Sequence, residues 1–331
     1  MKREDEASWP ELLSSEGRSV PGHRWGVILA GGDGRRLLPL TRKIAGNDMP
    51  KQFCKIVGDG TLLEQTRSRV RKLVAPGHTW VVVTKPHERF YADKLAGLRA
   101  SSVLVQPRNQ GTAPAIAYSL LRLRELDPAA VVAFFPSDHH FANEERFVAC
   151  VNAAFEAAEC PYGPVVLLGV VPDAPEAAYG WIEPGAPLGS DAGPAFRVSR
   201  FWEKPALSLA LGLMDRGCLW NSFVMVGRVG SFLRMTRRAL PDLVQTFDSL
   251  RHTFFTCLEE LALLELYSSI RSSSFSDDVL AVRPDDLAVL PGKDLGWSDL
   301  GEIPRVLSLL KRKGVRHECT QGWAIESSAA S

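Results

Sequence analysis

Three glycines, Gly31, Gly32 and Gly34, follow directly on the apolar run Trp25-Gly26-Val27-Ile28-Leu29-Ala30. Glycines at this density let a chain turn sharply and bring its backbone within hydrogen-bonding distance of a ligand. The N–H groups of such a loop form a concave trap for an anion. Arg35 and Arg36 come next, Arg42 and Lys43 a few residues on, and Lys51 at the far end of the stretch. A strand that empties into a glycine loop with cations on both flanks has the chemistry of a phosphate site. Two common phosphate fingerprints do not apply. Leu37 stands where G-x-G-x-x-G needs its third glycine, and G-x-x-x-x-G-K-[ST] is absent. Read alone, the glycines also fit a plain tight turn.

Two further stretches carry groups that suit a nucleotide. In Gln106-Pro107-Arg108-Asn109-Gln110-Gly111-Thr112-Ala113-Pro114, Gly111 and Ala113 are small enough for a flat base to lie against the backbone. Gln106 and Thr112 can hydrogen-bond the edge of that base, while Pro114 is also what an ordinary helix start shows. Asp138, in Pro136-Ser137-Asp138-His139-His140, is a hard oxygen donor at the end of a predicted core strand. Beside a polyphosphate it suggests Mg²⁺; the other reading is a helix-capping aspartate. His139 and His140 lack the second half of a zinc ligand set, and His139 reads as structural.

The elements that must position these groups alternate. Predicted strands cover 24–30, 79–84, 102–105 and 130–135, and helices open at Thr61 and cover 87–99 and 113–126. Thr61 with Glu64 three residues on is a capping-box signature, and 53–57 reads as a short strand. This order predicts an α/β fold with a doubly wound, mostly parallel, Rossmann-like sheet. Ligands of such sheets bind beyond the carboxyl ends of the strands, where the three stretches above all fall. Further on come helix 144–158, strands 164–170 and 198–201, three helices across 228–272, strand 287–290 and a closing helix over 302–312. Leu261-Ala262-Leu263-Leu264-Glu265-Leu266 reads as core packing. One domain is expected over 23–312, in two halves, 23–142 and 143–312, between a flexible leader (1–22) and a tail (313–331).

Composition narrows the partners. The chain has 331 residues, 45% hydrophobic and 23% charged, which is ordinary globular composition. Its 39 basic and 38 acidic residues give a net charge of +1, without the basic excess of a nucleic-acid binder. No apolar run approaches the ~20 residues needed to span a bilayer, and no signal peptide is read at the start. Six cysteines without a C-x-x-C pair read as reduced thiols, which points to the cytoplasm.

The loop G-G-x-G-x-R-L-x-P-L-T-R, completed by Pro50-Lys51-Gln52-Phe53, resembles the signature of the sugar-1-phosphate nucleotidyltransferases, in particular their mannose-1-phosphate guanylyltransferase branch. Other segments are similar to that family in the same order. They are Gly111-Thr112-Ala113-Pro114, Asp138-His139, Tyr179-Gly180-Trp181-Ile182-Glu183-Pro184, Trp202-Glu203-Lys204-Pro205, Trp220-Asn221-Ser222 and Gly296-Trp297-Ser298-Asp299. The resemblance spans about 24–312 and makes 23–142 a nucleotide half and 143–312 an α+β sugar half. It implies that Leu29, Ala30, Gly31, Gly32, Gly34, Gln106, Gly111, Thr112 and Ala113 bind the nucleotide. It implies that Gly180, Glu203 and Asn221 bind the sugar, and that Asp138 and Asp299 hold Mg²⁺. Arg36, Lys51 and Lys204 become the catalytic cations. A Glu-Lys pair before proline also fits a surface strand end. Two departures touch the sugar pocket: Trp181 replaces a tyrosine, and Phe223 follows W-N-S where glycine is common.

The implied reaction joins GTP and mannose 1-phosphate into GDP-mannose and pyrophosphate. A sugar 1-phosphate is mostly dianionic near neutral pH, its second pKa being ~6, so it needs no general base. The work is to neutralise and align two anions. Another base or sugar (UTP or dTTP, glucose 1-phosphate) and a non-catalytic nucleotide-sugar-binding regulatory relative stay open, as does a homodimer.

Overall fold

The computed structural model describes residues 22–159, 163–189 and 194–314. The leader, all but the first residues of the tail, Cys160 and Cys319 lie outside the described residues.

Eleven strands occur among the described residues: β1 (Arg24–Leu29), β2 (Thr79–Thr84), β3 (Val103–Gln106), β4 (Val131–Pro136), β5 (His140–Phe141), β6 (Val165–Val170), β7 (Gly180–Pro187), β8 (Phe196–Glu203), β9 (Leu219–Arg228), β10 (Leu287–Gly292) and β11 (Trp297–Ser298). The helices are α1 (Leu38–Ala45), α2 (Leu62–Val70), α3 (Glu88–Leu95), α4 (Thr112–Leu126), α5 (Glu144–Ala158), α6 (Leu207–Asp215), α7 (Val229–Ala239), α8 (Pro241–Asp248), α9 (Glu259–Ser269) and α10 (Ile303–Arg312).

Nine strands form one sheet in the order β3-β2-β1-β4-β9-β6-β10-β8-β7. The expected parallel arrangement holds for β3, β2, β1 and β4, whose connections carry helices. Beyond β4 it holds only for β10 against β6. β9 runs antiparallel to β4 and β6, β8 antiparallel to β10, and β7 antiparallel to β8 and β9. The sheet is therefore mixed. The physical reason is the connections: β7 and β8 are joined by a short loop, which allows only an antiparallel pair, whereas a parallel pair needs a long crossover. Because β7 also pairs with β9, strands β9, β6, β10, β8 and β7 close into a five-strand ring.

β1, β2 and β4 are buried, mostly apolar runs, as expected of a sheet covered on both faces, and β3 at the edge is half-buried at alternate positions. One core cluster carries Ile28, Phe135, Phe147 and Phe155; the other carries Val27, Ile116, Phe134 and Phe232. A third, smaller core joins Leu37, Leu40, Ile56 and Leu62 to Leu300, Val306 and Leu309. It fixes the glycine loop and α1 against the last helix. Residues 53–57 form no strand; Lys51–Phe53 is a single 3-10 turn that leads into irregular chain. The capping box forms as expected. Thr61 Oγ1 accepts the Glu64 N–H at 3.2 Å, and the Thr61 N–H reaches Glu64 Oε2 at 2.7 Å.

Candidate active site

The glycine loop leaves β1 and is tied down from behind. Gln52 Nε2 donates to the Ala30 carbonyl at 3.0 Å and to the Gly32 carbonyl at 2.7 Å. The Ala30 N–H in turn donates to the Val82 carbonyl at 2.7 Å, which fixes the start of the loop to β2. Gly31 backs onto the base segment: a Cβ there would lie 3.0 Å from Gln106 Nε2. The nucleotide residues expected from β1 and from the end of β3 thus occupy one place. Arg36 is exposed on the loop, with Nη1 3.3 Å from Glu302.

The 106–113 segment is clamped by α9 and by the chain after it. The Tyr267 hydroxyl donates to Gln106 Oε1 at 2.8 Å, and the Phe275 N–H donates to Thr112 Oγ1 at 2.8 Å. Gly111 has φ +88°, and a Cβ there would lie 2.2 Å from the Ser273 carbonyl oxygen, so the position tolerates no side chain. The Ala113 N–H donates to the same carbonyl at 3.2 Å.

Asp138 follows β4, and Asp299 follows β11. Lys51 joins them: its Nζ lies 3.1 Å from Asp138 Oδ2 and donates to the Asp299 and Leu300 carbonyls at 2.9 and 3.0 Å. Asp299 Oδ1 accepts from the Tyr179 hydroxyl (3.1 Å), the Gly301 N–H (3.0 Å) and Arg305 Nη1 (2.8 Å). Burial works against ionisation of Asp299. Neighbouring His139, Arg305, the Gly301 N–H and Lys51 outweigh it and hold the carboxyl below its ordinary value. Burial, with the Asp299 charge beside it, pushes the Tyr179 hydroxyl well up, so it stays a donor. His139 Nδ1 accepts the Trp297 indole N–H at 3.2 Å, and burial lowers the imidazole's pKa; a neutral ring in that bond suits a structural role. No group of three or more His, Cys, Asp or Glu side chains among the described residues makes a self-sufficient metal cage. Two carboxylates gathered by Lys51 beside the glycine loop are nevertheless a donor set that fits Mg²⁺.

The sugar candidates also converge. A Cβ on Gly180 would lie 2.8 Å from Glu203 Oε2 and 3.2 Å from Asn221 Cβ. Lys204, half exposed, pairs with Glu203 at 2.6 Å. Asn221 Oδ1 accepts the Phe223 N–H at 2.9 Å, which leaves its NH₂ as the group to offer a ligand. Phe223 has φ +58°, the left-handed region where glycine is at ease; that is a physical reason for glycine to be common after W-N-S. Trp181 is fully buried, its indole N–H on the Glu176 carbonyl at 2.8 Å.

Sequence reasoning did not single out Gln52, Tyr267, Tyr179's hydroxyl or Arg305. Gln52 and Tyr179 lay inside quoted segments and were legible as positions. Arg305 and Tyr267 belong to helices with no local signal that their side chains turn toward the site.

The model of the nucleotidyl transferase family matches residues 25–312, which takes in every residue discussed above. The chain belongs to the nucleotidyl transferase family. It is 33% identical over 297 residues to the xanthan biosynthesis protein XanB of Xanthomonas campestris pv. campestris, covering 87% of this chain and 60% of that protein. It is 32% identical over 283 residues to mannose-1-phosphate guanylyltransferase of Escherichia coli K12, covering 83% of this chain and 57% of that one. Among solved structures, the Thermus thermophilus protein described as mannose-1-phosphate geranyltransferase superposes with a TM-score of 0.73 at 29% identity, over 86% of this chain and 79% of that one. The chain spans about three fifths of the length of the curated relatives it matches. No helix among the described residues is long and apolar enough to cross a membrane.

Proposed function

We propose that this nucleotidyltransferase makes GDP-mannose and pyrophosphate from GTP and mannose 1-phosphate. The observation that carries the reading is the Lys51 junction, which ties the Asp138 and Asp299 segments together beside the glycine loop. The family match and the similarity to mannose-1-phosphate guanylyltransferases support the substrate pair.

The chemistry is a displacement at the α-phosphorus. An oxygen of the sugar phosphate forms the new P–O bond, the bond to the β-phosphate oxygen breaks, and pyrophosphate carries away the electron pair. Leu29, Ala30, Gly31, Gly32 and Gly34 hold the triphosphate; Gln106, Gly111, Thr112 and Ala113 hold the base. Arg36 leaves its exposed pairing with Glu302 to neutralise the departing pyrophosphate. Lys51 exchanges one of its carbonyl partners for an α-phosphate oxygen. Gly180, Glu203 and Asn221 hold the sugar, and Lys204 steers its phosphate. Asp138 and Asp299 would hold Mg²⁺, which would supply positive charge to offset that of the phosphates. Placement and charge neutralisation do the catalysis.

The reverse reaction tests the reading directly. Incubated with GDP-mannose, pyrophosphate and Mg²⁺, the protein should release GTP and mannose 1-phosphate. Chelation with EDTA and the Asp138→Asn variant should each abolish this. Full GTP release by Asp138→Asn/Asp299→Asn would remove both carboxylates from the metal site.

A further inference from the structure

Gln106 ends β3 and is almost wholly buried, 3% exposed. The two ends of its amide have different fates. The carbonyl oxygen accepts the Tyr267 hydroxyl at 2.8 Å. The NH₂ has no hydrogen-bond partner among the described residues. It faces the glycine loop, since a Cβ on Gly31 would lie 3.0 Å from Nε2. A buried amide with an unspent donor is a group that a ligand has to satisfy.

Tyr267 decides which end is spent. It lies on the inward side of α9 with Leu263 and Leu266, while Leu261 and Leu264 are exposed. The expectation that Leu261 to Leu266 is core packing therefore fails for Leu261 and Leu264. The Tyr267 side chain is fully buried, and burial pushes its hydroxyl well up, so it stays protonated and donates. The ring packs edge-on against Phe247 at 5.9 Å, and its backbone carbonyl accepts from Arg108 Nε at 3.0 Å and Gln110 Nε2 at 3.4 Å. Side chain and main chain of Tyr267 are thus both held by the segment that carries Gln106. Turning the Gln106 amide over would put Nε2 against the hydroxyl and leave the hydroxyl hydrogen buried without an acceptor.

A presented NH₂ selects an acceptor on the base. Guanine offers O6 and N7, whereas adenine carries an amino group in place of O6. A glutamine free at both ends can serve adenine, its carbonyl taking the amino group and its NH₂ giving to N7. Here the carbonyl is committed, and the amino group of adenine meets a second donor. We propose that Tyr267 is a specificity-determining residue, which holds the Gln106 carbonyl so that the NH₂ selects 6-keto purines over 6-amino purines. The inference rests on the reading that Gln106 meets the base.

Isothermal titration calorimetry with nucleotide and no sugar phosphate tests this apart from turnover. The wild type should bind GTP more tightly than ATP. Tyr267→Phe removes one oxygen and lets the amide turn over, so the ratio of the two affinities should shrink by about tenfold. General loosening of the fold would weaken both nucleotides together and leave that ratio alone. If Tyr267→Phe does not fold, the wild type still decides. The triphosphate of 2-aminopurine riboside, which keeps the 2-amino group and lacks O6, should bind about tenfold or more weakly than GTP. A shrunken ratio supports the inference even where no sugar phosphate turns over. An unchanged ratio overturns it even in an active guanylyltransferase. A wild type that does not prefer GTP to ATP, or that binds the 2-aminopurine nucleotide as well as GTP, also overturns it.

Discussion

Arg36 is the residue on which the leaving-group argument turns. It sits on the glycine loop with its side chain largely in solvent and paired with Glu302, so it can be removed without disturbing the core. Arg36→Ala should lower turnover by ~100-fold, as loss of a donor to developing charge does, while the melting temperature stays within a degree or so. Near-normal steady-state turnover would take Arg36 out of the mechanism. Phe223 poses a different question. Its backbone is held in a left-handed conformation by the Asn221 side chain, and its ring packs against the core cluster that carries Val27 and Ile116. Phe223→Gly removes that ring, next to the proposed sugar-binding Asn221, without asking the backbone to change. The ratio of kcat/KM for mannose 1-phosphate over glucose 1-phosphate should shift by about tenfold. An unchanged ratio would make the ring simple packing.

At the scale of elements, what holds the loops in place is short and local. The α2 capping box is one example, because α2 abuts the Lys51–Phe53 turn through Leu62 and Leu63. Thr61→Ala should cost about 1 kcal/mol in urea denaturation. The box also has a pH signature. Burial raises the Glu64 carboxyl, but the Thr61 N–H and hydroxyl, with Lys94 and Lys55, outweigh it and leave the group below its ordinary 4.5. A carboxyl depressed in the folded state adds stability that is full above the unfolded value and lost as pH falls through the folded one. Glu64→Gln should therefore narrow its stability deficit below about pH 4.5 and show it fully at neutral pH; a deficit independent of pH would contradict the assignment. The elements were unevenly legible in the sequence. β1 to β4 and their helices announce themselves because β-branched runs and caps are local signals. β7 and β9 do not, since their pairing is decided by long-range closure of the ring. α9 misleads for a related reason: leucines at 258, 261, 263, 264 and 266 surround the helix, so no stripe says which side faces in. The site was legible wherever a residue follows a strand end, as Gly31, Gln106 and Asp138 do. It was not where a distant helix supplies the group, as with Arg305.

Among the described residues no seam separates 23–142 from 143–312. β4 of the first half pairs with β9 of the second, and one core cluster runs from Ile28 and Val81 to Val166 and Leu290. A division near residue 142 would cut that sheet and that core. Calorimetric unfolding should give one transition, with calorimetric and van't Hoff enthalpies that agree; two separable transitions would show that the halves are independent. The same continuity brings Asp138 and Asp299, far apart in the sequence, to one lysine, on which the proposed activity depends. Pyrophosphate release measures that activity most directly, with Mg²⁺ and GTP, ATP, UTP, CTP or dTTP crossed against mannose, glucose, N-acetylglucosamine and fucose 1-phosphates. The account predicts a dominant signal for GTP with mannose 1-phosphate. A dominant signal for another pair would contradict the substrate assignment, and silence across the matrix would contradict the catalytic account itself.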